Sequence, residues 1–325
     1  MTTYLIPLEP IDSRYTAQWY EWFPQEVRKL RDDVEVIDGE QFDHNLEGEF
    51  FLDPIGTNYY KSSQIQNLMS KADEFEDGDE IFLFDVWFPG LEAIAYVRDM
   101  LDIDLKIRGI LHAGTYDAWD LTNQKGMESW GRELENAWFE ILDEVIVGTE
   151  FHRRFVTERR ELARSKVSVT GLPIDIERLR DMRTHTYENR IVFTGRLSEE
   201  KGIETVREMQ DAGYPIHVTM EHNHSKEEYY ELLANSRAVF APSLQETFGY
   251  GVLEGLALDC QPVVPDRLAF QSTVPEQFRY NGLSELKAHL DTVLEGFVPP
   301  SQSVDRYEEI VQSYHYEDVI QRMFE

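Results

Sequence analysis

Arg237 to Pro262, RAVFAPSLQETFGYGVLEGLALDCQP, joins a short apolar run to a helical run through a polar, glycine-bearing turn, the repeating unit of an open parallel sheet. Arg237 through Pro242 reads as a buried strand and Gly251 through Leu258 as a helix. Glu246 then falls in the loop at the strand's carboxyl end, and Phe248, Gly249, Tyr250 and Gly251 open the helix. The amino end of a helix has unpaired N–H groups and a positive dipole end, so it can hold a diphosphate without any lysine. Glu254, one turn or so into the helix, is placed to accept hydrogen bonds from a ribose. On this run alone a capped surface helix carrying ordinary glutamates stays open as the alternative.

Outward from this stretch the same layout recurs. The runs expected as strands are Tyr4–Pro7, Val34–Ile37, Glu80–Phe84, Leu105–Leu111, Glu144–Val147, Lys166–Thr170, Arg190–Thr194, Pro215–Met220, Ala238–Ala241 and Pro262–Val264, with helical patterns between them. Strands alternating with helices imply parallel sheets covered by helices on both faces. Pro173 and the charged stretch 175–189 break the rhythm and predict an interdomain linker. The fold class is therefore α/β, with one Rossmann-like domain expected over 1–174 and a second over 175–304. Residues 305–325 close the chain as a helix, since Tyr307, Ile310, Val311, Tyr314, Tyr316, Val319, Ile320 and Met323 recur at helical intervals. Such sheets bind ligands at the carboxyl ends of their strands. Two domains facing each other across a cleft would thus gather the loops at 11–15, 85–87, 112–117, 195–201 and 221–222 around Glu246.

The 325 residues exceed the usual single-domain size, and 42% hydrophobic content suffices for two cores. The amino terminus lacks the basic region of a signal peptide, and the longest apolar stretch, 81–96, is interrupted by Asp85, Pro89, Gly90 and Glu92, too polar to span a bilayer. Cys260 is the only cysteine, which excludes an internal disulfide and a cysteine-based zinc site. A cytosolic enzyme is expected. The net charge of -31 is spread along the chain, and arginine outnumbers lysine 22 to 9. Dispersed acidity with scarce lysine resembles proteins that work in concentrated salt, where a Debye length of about 3 Å at 1 M screens self-repulsion. Such acidity argues against a long nucleic-acid footprint. One basic concentration exists, His152, Arg153, Arg154, Arg159, Arg160, Arg164 and Lys166. It reads either as a solvated helix paired with Glu150, Glu158 and Glu161 or as a strip that contacts phosphates or an anionic membrane surface. Asp102-Ile103-Asp104 spells a metal-holding DxD, yet lies between a helix and a strand, away from the expected cleft. His222 and His224 make no complete ligand set.

Ile191-Val192-Phe193-Thr194-Gly195-Arg196-Leu197 with Lys201-Gly202, then Pro242-Ser243, Glu246-Thr247-Phe248-Gly249, Glu254 and Pro262-Val263-Val264, resembles the carboxyl-terminal half of retaining GT-B glycosyltransferases of family 4. The resemblance covers about Arg190 to Gln277 and continues more weakly in the first half, at 105–112, 145–149 and 169–171. It implies two Rossmann-like domains whose parallel sheets face each other across a cleft, the first on the acceptor side and the second binding the nucleotide sugar. It also implies a nucleoside-diphosphate sugar donor of UDP or GDP type, with no cofactor and no metal. By position it implies that Arg196 and Lys201 bind the donor diphosphate, with backbone N–H groups near Phe248 and Gly249. It places Glu246 near the donor sugar, Glu254 at the ribose, and His112 at the sugar or the reacting region. Judged alone, Arg196 and Lys201 read equally as surface partners of Glu199, Glu200 or Glu204, and His112 as a satisfied structural histidine. Asp117 and Asp120 are acceptor-side candidates. So are Ser13 and Arg14, in the segment 8–16 that replaces the family's glycine-rich loop. The turn Leu258-Asp259-Cys260-Gln261-Pro262 is one residue longer than usual and resembles a subgroup that includes enzymes mannosylating a modified transfer-RNA base (queuosine) and viral glycosyltransferases. The acceptor classes left open are a saccharide, a lipid-linked sugar or small metabolite, and a modified DNA or RNA base. A catalytically silent nucleotide-sugar-binding protein is the alternative from another class.

Overall fold

The structure, a computed structural model, describes residues 1–12, 14–42 and 53–325. Ser13 lies outside the described residues. Among these the strands form two all-parallel sheets. The first holds β1 (Thr2–Ile6), β2 (Asp33–Val36), β3 (Glu80–Leu83), β4 (Lys106–Ile110), β5 (Glu144–Val147) and β6 (Val167–Val169) in the order β2-β1-β3-β4-β5-β6. The second holds β7 (Glu188–Phe193), β8 (Ile216–Val218), β9 (Ser236–Phe240), β10 (Gln261–Pro265) and β11 (Arg279–Tyr280) in the order β11-β10-β9-β7-β8. Alternation along each strand fills both faces. In the first sheet Leu5, Phe82, Ile110 and Ile146 point to one side, whereas Tyr4, Ile6, Ile81, Leu83, Ile107 and Val145 pack on the other. Both sets are apolar because both faces carry helices.

Six helices bear on the site: α1 (Tyr15–Leu30), α2 (Glu150–Thr157), α3 (Ile176–Asp181), α4 (Lys226–Ala234), α5 (Tyr250–Ala257) and α6 (Tyr316–Phe324). One hydrophobic cluster runs from Trp19 and Phe23 of α1 through Leu172, Ile174 and Ile176 to Val252, Leu253 and Leu256 of α5, and back through Val319 and Met323 of α6. The stretch 175–189, which joins the two sheets, is thus partly helical and packed rather than a bare break in the rhythm. Asp175 caps α3 by accepting the N–H of Arg178 at 3.1 Å, Ile176 and Leu179 are buried, and β7 already begins at Glu188. The charged Glu177, Arg178, Arg180 and Asp181 of this short helix are exposed or half-buried, unlike Ile176 and Leu179.

The chain passes between the lobes twice, at neighbouring places. The Ile174 N–H donates to the Tyr314 carbonyl at 3.0 Å, and the Tyr316 N–H to the Ile174 carbonyl at 2.9 Å. Beyond this point α6 lies on α1, with the Tyr316 ring stacked on Trp22 at 4.5 Å. Its last carbonyls are held by guanidinium groups of the first lobe. Arg31 Nη2 donates to Phe324 O at 2.7 Å, and Arg108, paired with Glu80 at 2.7 Å inside the sheet, donates to Met323 O. Cations at the carboxyl end of a helix oppose its dipole and satisfy carbonyls that have no partner within the helix.

Candidate functional site

Parallel strands place all their carboxyl ends on one edge of each sheet, and the two edges meet. In the second lobe, β9 runs into Pro242–Phe248 and turns at Gly249, whose φ of +92° suits a residue without a Cβ. Helix α5 begins there with no acidic residue in its first turn and no side chain capping its N–H groups. The loop after β7 approaches from the side. Lys201 Nζ donates to Glu246 Oε2 at 3.1 Å and to the Gln245 carbonyl at 2.9 Å, while Arg196 pairs with Glu200 at 3.1 Å. Lys201 and Glu246 thus meet across two loops.

Glu254 is 4% exposed, and both its oxygens are engaged. Oε1 accepts from Lys226 Nζ at 2.8 Å and from the Tyr230 hydroxyl at 3.0 Å, and Oε2 from the Tyr229 hydroxyl at 3.0 Å. Sequence reading missed these three partners, although the i, i+3, i+4 spacing of Lys226, Tyr229 and Tyr230 puts them on one face of α4. Tyr230 also accepts from Gln18 Nε2 of α1 at 3.3 Å, so the carboxylate is linked to the opposite lobe.

From the first lobe, His112 follows β4. Its Nε2 lies 2.8 Å from the Phe84 carbonyl and so carries the proton, which leaves Nδ1 to accept from the Tyr15 hydroxyl at 3.5 Å. Burial lowers its pKa more than nearby Asp85 raises it, and the ring is neutral at pH 7. Asp85, after β3, is itself pushed up by burial, but Lys61 at 2.7 Å and His112 outweigh this and hold it below the usual carboxylate value. Asp85 belongs to the 85–87 loop expected at the cleft, with no role assigned to it, and Lys61 was not among the candidates. Lys61 sits in a helix far along the chain, where no local pattern marks it.

Asp117 and Asp120 lie in the loop beyond His112, and burial raises the pKa of each. They also build that loop, Asp117 accepting the Trp119 N–H at 2.9 Å and Asp120 the Thr122 N–H at 2.8 Å. Arg14 stands at the start of α1, near enough to Arg196 of the other lobe for the two charges to repel. Several contacts join the lobes here. The Thr247 hydroxyl donates to the His112 carbonyl at 3.0 Å, the Thr149 hydroxyl donates to the Thr247 carbonyl at 2.8 Å, and the Tyr15 and Tyr250 rings stack at 4.5 Å and 9°. Glu246, Lys201, His112, Tyr15 and Asp85 are thereby gathered at one place.

Other features fall elsewhere. Most of the basic strip is taken up in structure. Arg160 is buried against Glu135 at 2.6 Å, Lys166 donates to the carbonyls of Phe139, Glu140 and Leu142, and Arg153 and Arg164 pair with Glu150. Arg159 lies over the Phe155 ring at 3.9 Å. His152 meets the Tyr116 hydroxyl at 2.5 Å, and burial lowers its pKa to about 3. The long turn through Cys260 precedes β10, on the edge opposite the site. There the Asp259 carboxylate accepts from the Ser301 N–H at 2.7 Å and Cys260 is fully buried, so this turn cannot reach an acceptor in the cleft. Asp102 and Asp104 likewise precede β4 on that far edge. His217 of β8 joins His222 and His224 with ring centres 4.3 and 5.4 Å away, but among the described residues no group of three or more His, Cys, Asp or Glu is arranged to hold a metal.

No protein-family model matches the sequence, and no curated protein does. Solved structures do match. A sucrose-phosphate synthase from Thermosynechococcus elongatus aligns over 99% of this chain and 97% of its own, with TM-score 0.70 and 13% identity. The lipopolysaccharide outer core galactosyltransferase WaaB aligns over 99% and 98%, with TM-score 0.61 and 11% identity. A UDP-forming α,α-trehalose-phosphate synthase from Burkholderia xenovorans aligns over 81% and 76%, with TM-score 0.58 and 13% identity. With its two parallel α/β sheets, the chain has the GT-B fold.

Proposed function

We propose that this chain is a retaining glycosyltransferase, moving a sugar from a nucleoside-diphosphate sugar of UDP or GDP type to an acceptor without metal or cofactor. The observation that carries the proposal is the meeting of Glu246, Lys201 and the open amino end of α5 with His112 of the other lobe. The structural neighbours support it, since they include a galactosyltransferase and a UDP-forming synthase.

As the bond from the sugar's anomeric carbon to the donor phosphate breaks, the diphosphate gains negative charge. Arg196, Lys201 and the N–H groups at Phe248 and Gly249 stabilise that charge more in the transition state than in the ground state. Glu246 is the carboxylate beside the donor sugar, and neutral His112 faces the reacting region. Glu254 takes the ribose. A ribose there displaces Lys226, whose side chain is 20% exposed. In the retaining reaction the acceptor hydroxyl attacks the face from which the diphosphate leaves, and its proton passes to a departing phosphate oxygen, so no protein base is required. Arg14, Asp117 and Asp120 lie on the acceptor side.

The acceptor is a saccharide, a lipid-linked sugar or a small molecule. A modified nucleic-acid base is the other possibility, and it loses support because Arg160 and His152 of the basic strip are buried structural groups and Lys166 is bonded to the backbone carbonyls of Phe139, Glu140 and Leu142. No helix among the described residues is long and apolar enough to cross a membrane. A thermal-shift screen of UDP- and GDP-sugars at several salt concentrations tests the proposal, followed by detection of released UDP or GDP and a product mass shift. Stabilisation by no sugar nucleotide refutes donor binding. Binding without release or product leaves the chain a silent nucleotide-sugar-binding protein.

A further inference from the structure

We infer that Thr149 and Thr247 are positioning residues that make the placement of Glu246 depend on the meeting of the two lobes; this rests on the glycosyl-transfer reading above. Thr247 follows Glu246 directly, and it is bonded to the first lobe in both directions. Its hydroxyl donates to the backbone carbonyl of His112 at 3.0 Å, and its own carbonyl accepts from the Thr149 hydroxyl at 2.8 Å. The bridge therefore draws together the backbones of the two candidate groups that come from opposite lobes.

Thr149 is 2% exposed, and its hydroxyl bonds in both directions. While donating to Thr247 it accepts the His152 N–H at 3.1 Å, capping α2. Its neighbour Gly148 permits the approach, because a Cβ there would come within 2.8 Å of the Phe248 ring. Within its own lobe the Glu246 loop is held by Lys201 and by the Ala269 N–H, which donates to the Glu246 carbonyl at 3.3 Å. None of those contacts fixes Glu246 relative to His112. The Thr149–Thr247–His112 chain does, and it exists only when the lobes are together. The proposed contacts to the donor's diphosphate and ribose, Arg196, Lys201, the amino end of α5 and Glu254, all belong to the second lobe and do not need the bridge; these are taken to dominate donor affinity. Loss of the bridge should therefore affect turnover and spare donor affinity.

Thr247→Val keeps the shape and removes the bond to His112. Thr149→Asp keeps an acceptor for the α2 cap but has no proton to give the Thr247 carbonyl at neutral pH. Each should lower kcat by about 3- to 10-fold, the rate equivalent of one net hydrogen bond, with the donor Kd changed by less than about twofold. Thr247→Ser and Thr149→Ser, which keep the hydroxyl, should recover most of the loss. Full kcat in both Thr247→Val and Thr149→Asp overturns the inference, as does a donor Kd that weakens in step with kcat. If wild type turns over and all four variants match it, only the bridge fails. If wild type binds no UDP- or GDP-sugar, the reading beneath it fails and takes the bridge with it.

Discussion

Replacing Arg160 by methionine should cost about 3–5 kcal/mol, the expected penalty for breaking a buried ion pair from one side. Glu135 is 1% exposed. Its Oε1 accepts the Thr115 N–H at 2.6 Å, and its Oε2 takes Arg160 Nε at 2.6 Å and the Thr115 hydroxyl at 2.9 Å. Arg160 Nη2 also donates to that hydroxyl at 3.0 Å. Without the guanidinium, an ionised carboxylate stays in the core with only neutral donors. An unfolding entropy of roughly 2.1 cal/mol/K per residue over the whole chain gives about 0.7 kcal/mol/K, so a loss of about 4 kcal/mol lowers Tm by about 6 °C. Chemical or thermal unfolding followed by circular dichroism, at one fixed salt concentration, measures this. The companion is the double variant Arg160→Met with Glu135→Leu. Removing both charges should cost well under the sum of the single losses, with a coupling of about 2 kcal/mol or more. A single-variant loss below about 1 kcal/mol, as for an exposed arginine, or strict additivity in the double variant, would refute the account. Thr115 lies close behind His112, so the same substitution should also loosen the loop that carries it.

Three further outcomes are expected. Glu246→Ala should abolish transfer while leaving the melting temperature close to wild type; an active variant removes Glu246 from the site. His152, held at about 3 against an ordinary 6.5, resists the protonation that the unfolded chain accepts, so its contribution is fully present above pH 6.5 and disappears as pH falls toward 3. That contribution is about 5 kcal/mol at most, and His152→Gln should flatten the acid side of the stability profile, whereas parallel profiles would contradict the burial argument. Asp117 and Asp120, raised by burial, slope the opposite way, so the comparison is made as a difference between variant and wild type. Finally, moving from 1 M to 0.1 M salt lengthens the Debye length from about 3 to about 10 Å, and a chain of net charge -31 should lose thermal stability; an unchanged Tm argues against salt adaptation.

Much of the fold could be read from the sequence because both faces of each sheet are buried, so the strands are near-continuous apolar runs that need no alternation to be seen. The exceptions have physical causes. Two-residue β11 sits at a sheet edge and is too short to show a pattern, and the first residues of β7, Glu188 to Arg190, are polar where the strand runs past the core. In the site, the residues between Arg196 and Glu254 could be found because one βα unit after another presents its loop to the same edge. The pairing of Asp85 with Lys61 and the Lys226–Tyr229–Tyr230 cradle could not, since they depend on partners from distant segments, although the 85–87 loop itself was expected at the cleft. Arg160 shows the same limit. Its neighbours in sequence made it part of a basic surface, and its neighbours in space made it the core partner of Glu135.

The two hydrogen-bonded crossings at Ile174 and Tyr314–Tyr316 bring the paths of the chain between lobes to one side of the cleft. With the two crossings bonded side by side, a swing of the lobes about this place leaves the backbone bonds between Ile174 and its two tyrosine neighbours intact. In a hinge closure about such a place, displacement grows with distance from it. A fluorophore or spin-label pair placed across the mouth of the cleft, far from Ile174, would report opening with the largest change in separation, and the same pair beside His315 would hardly respond.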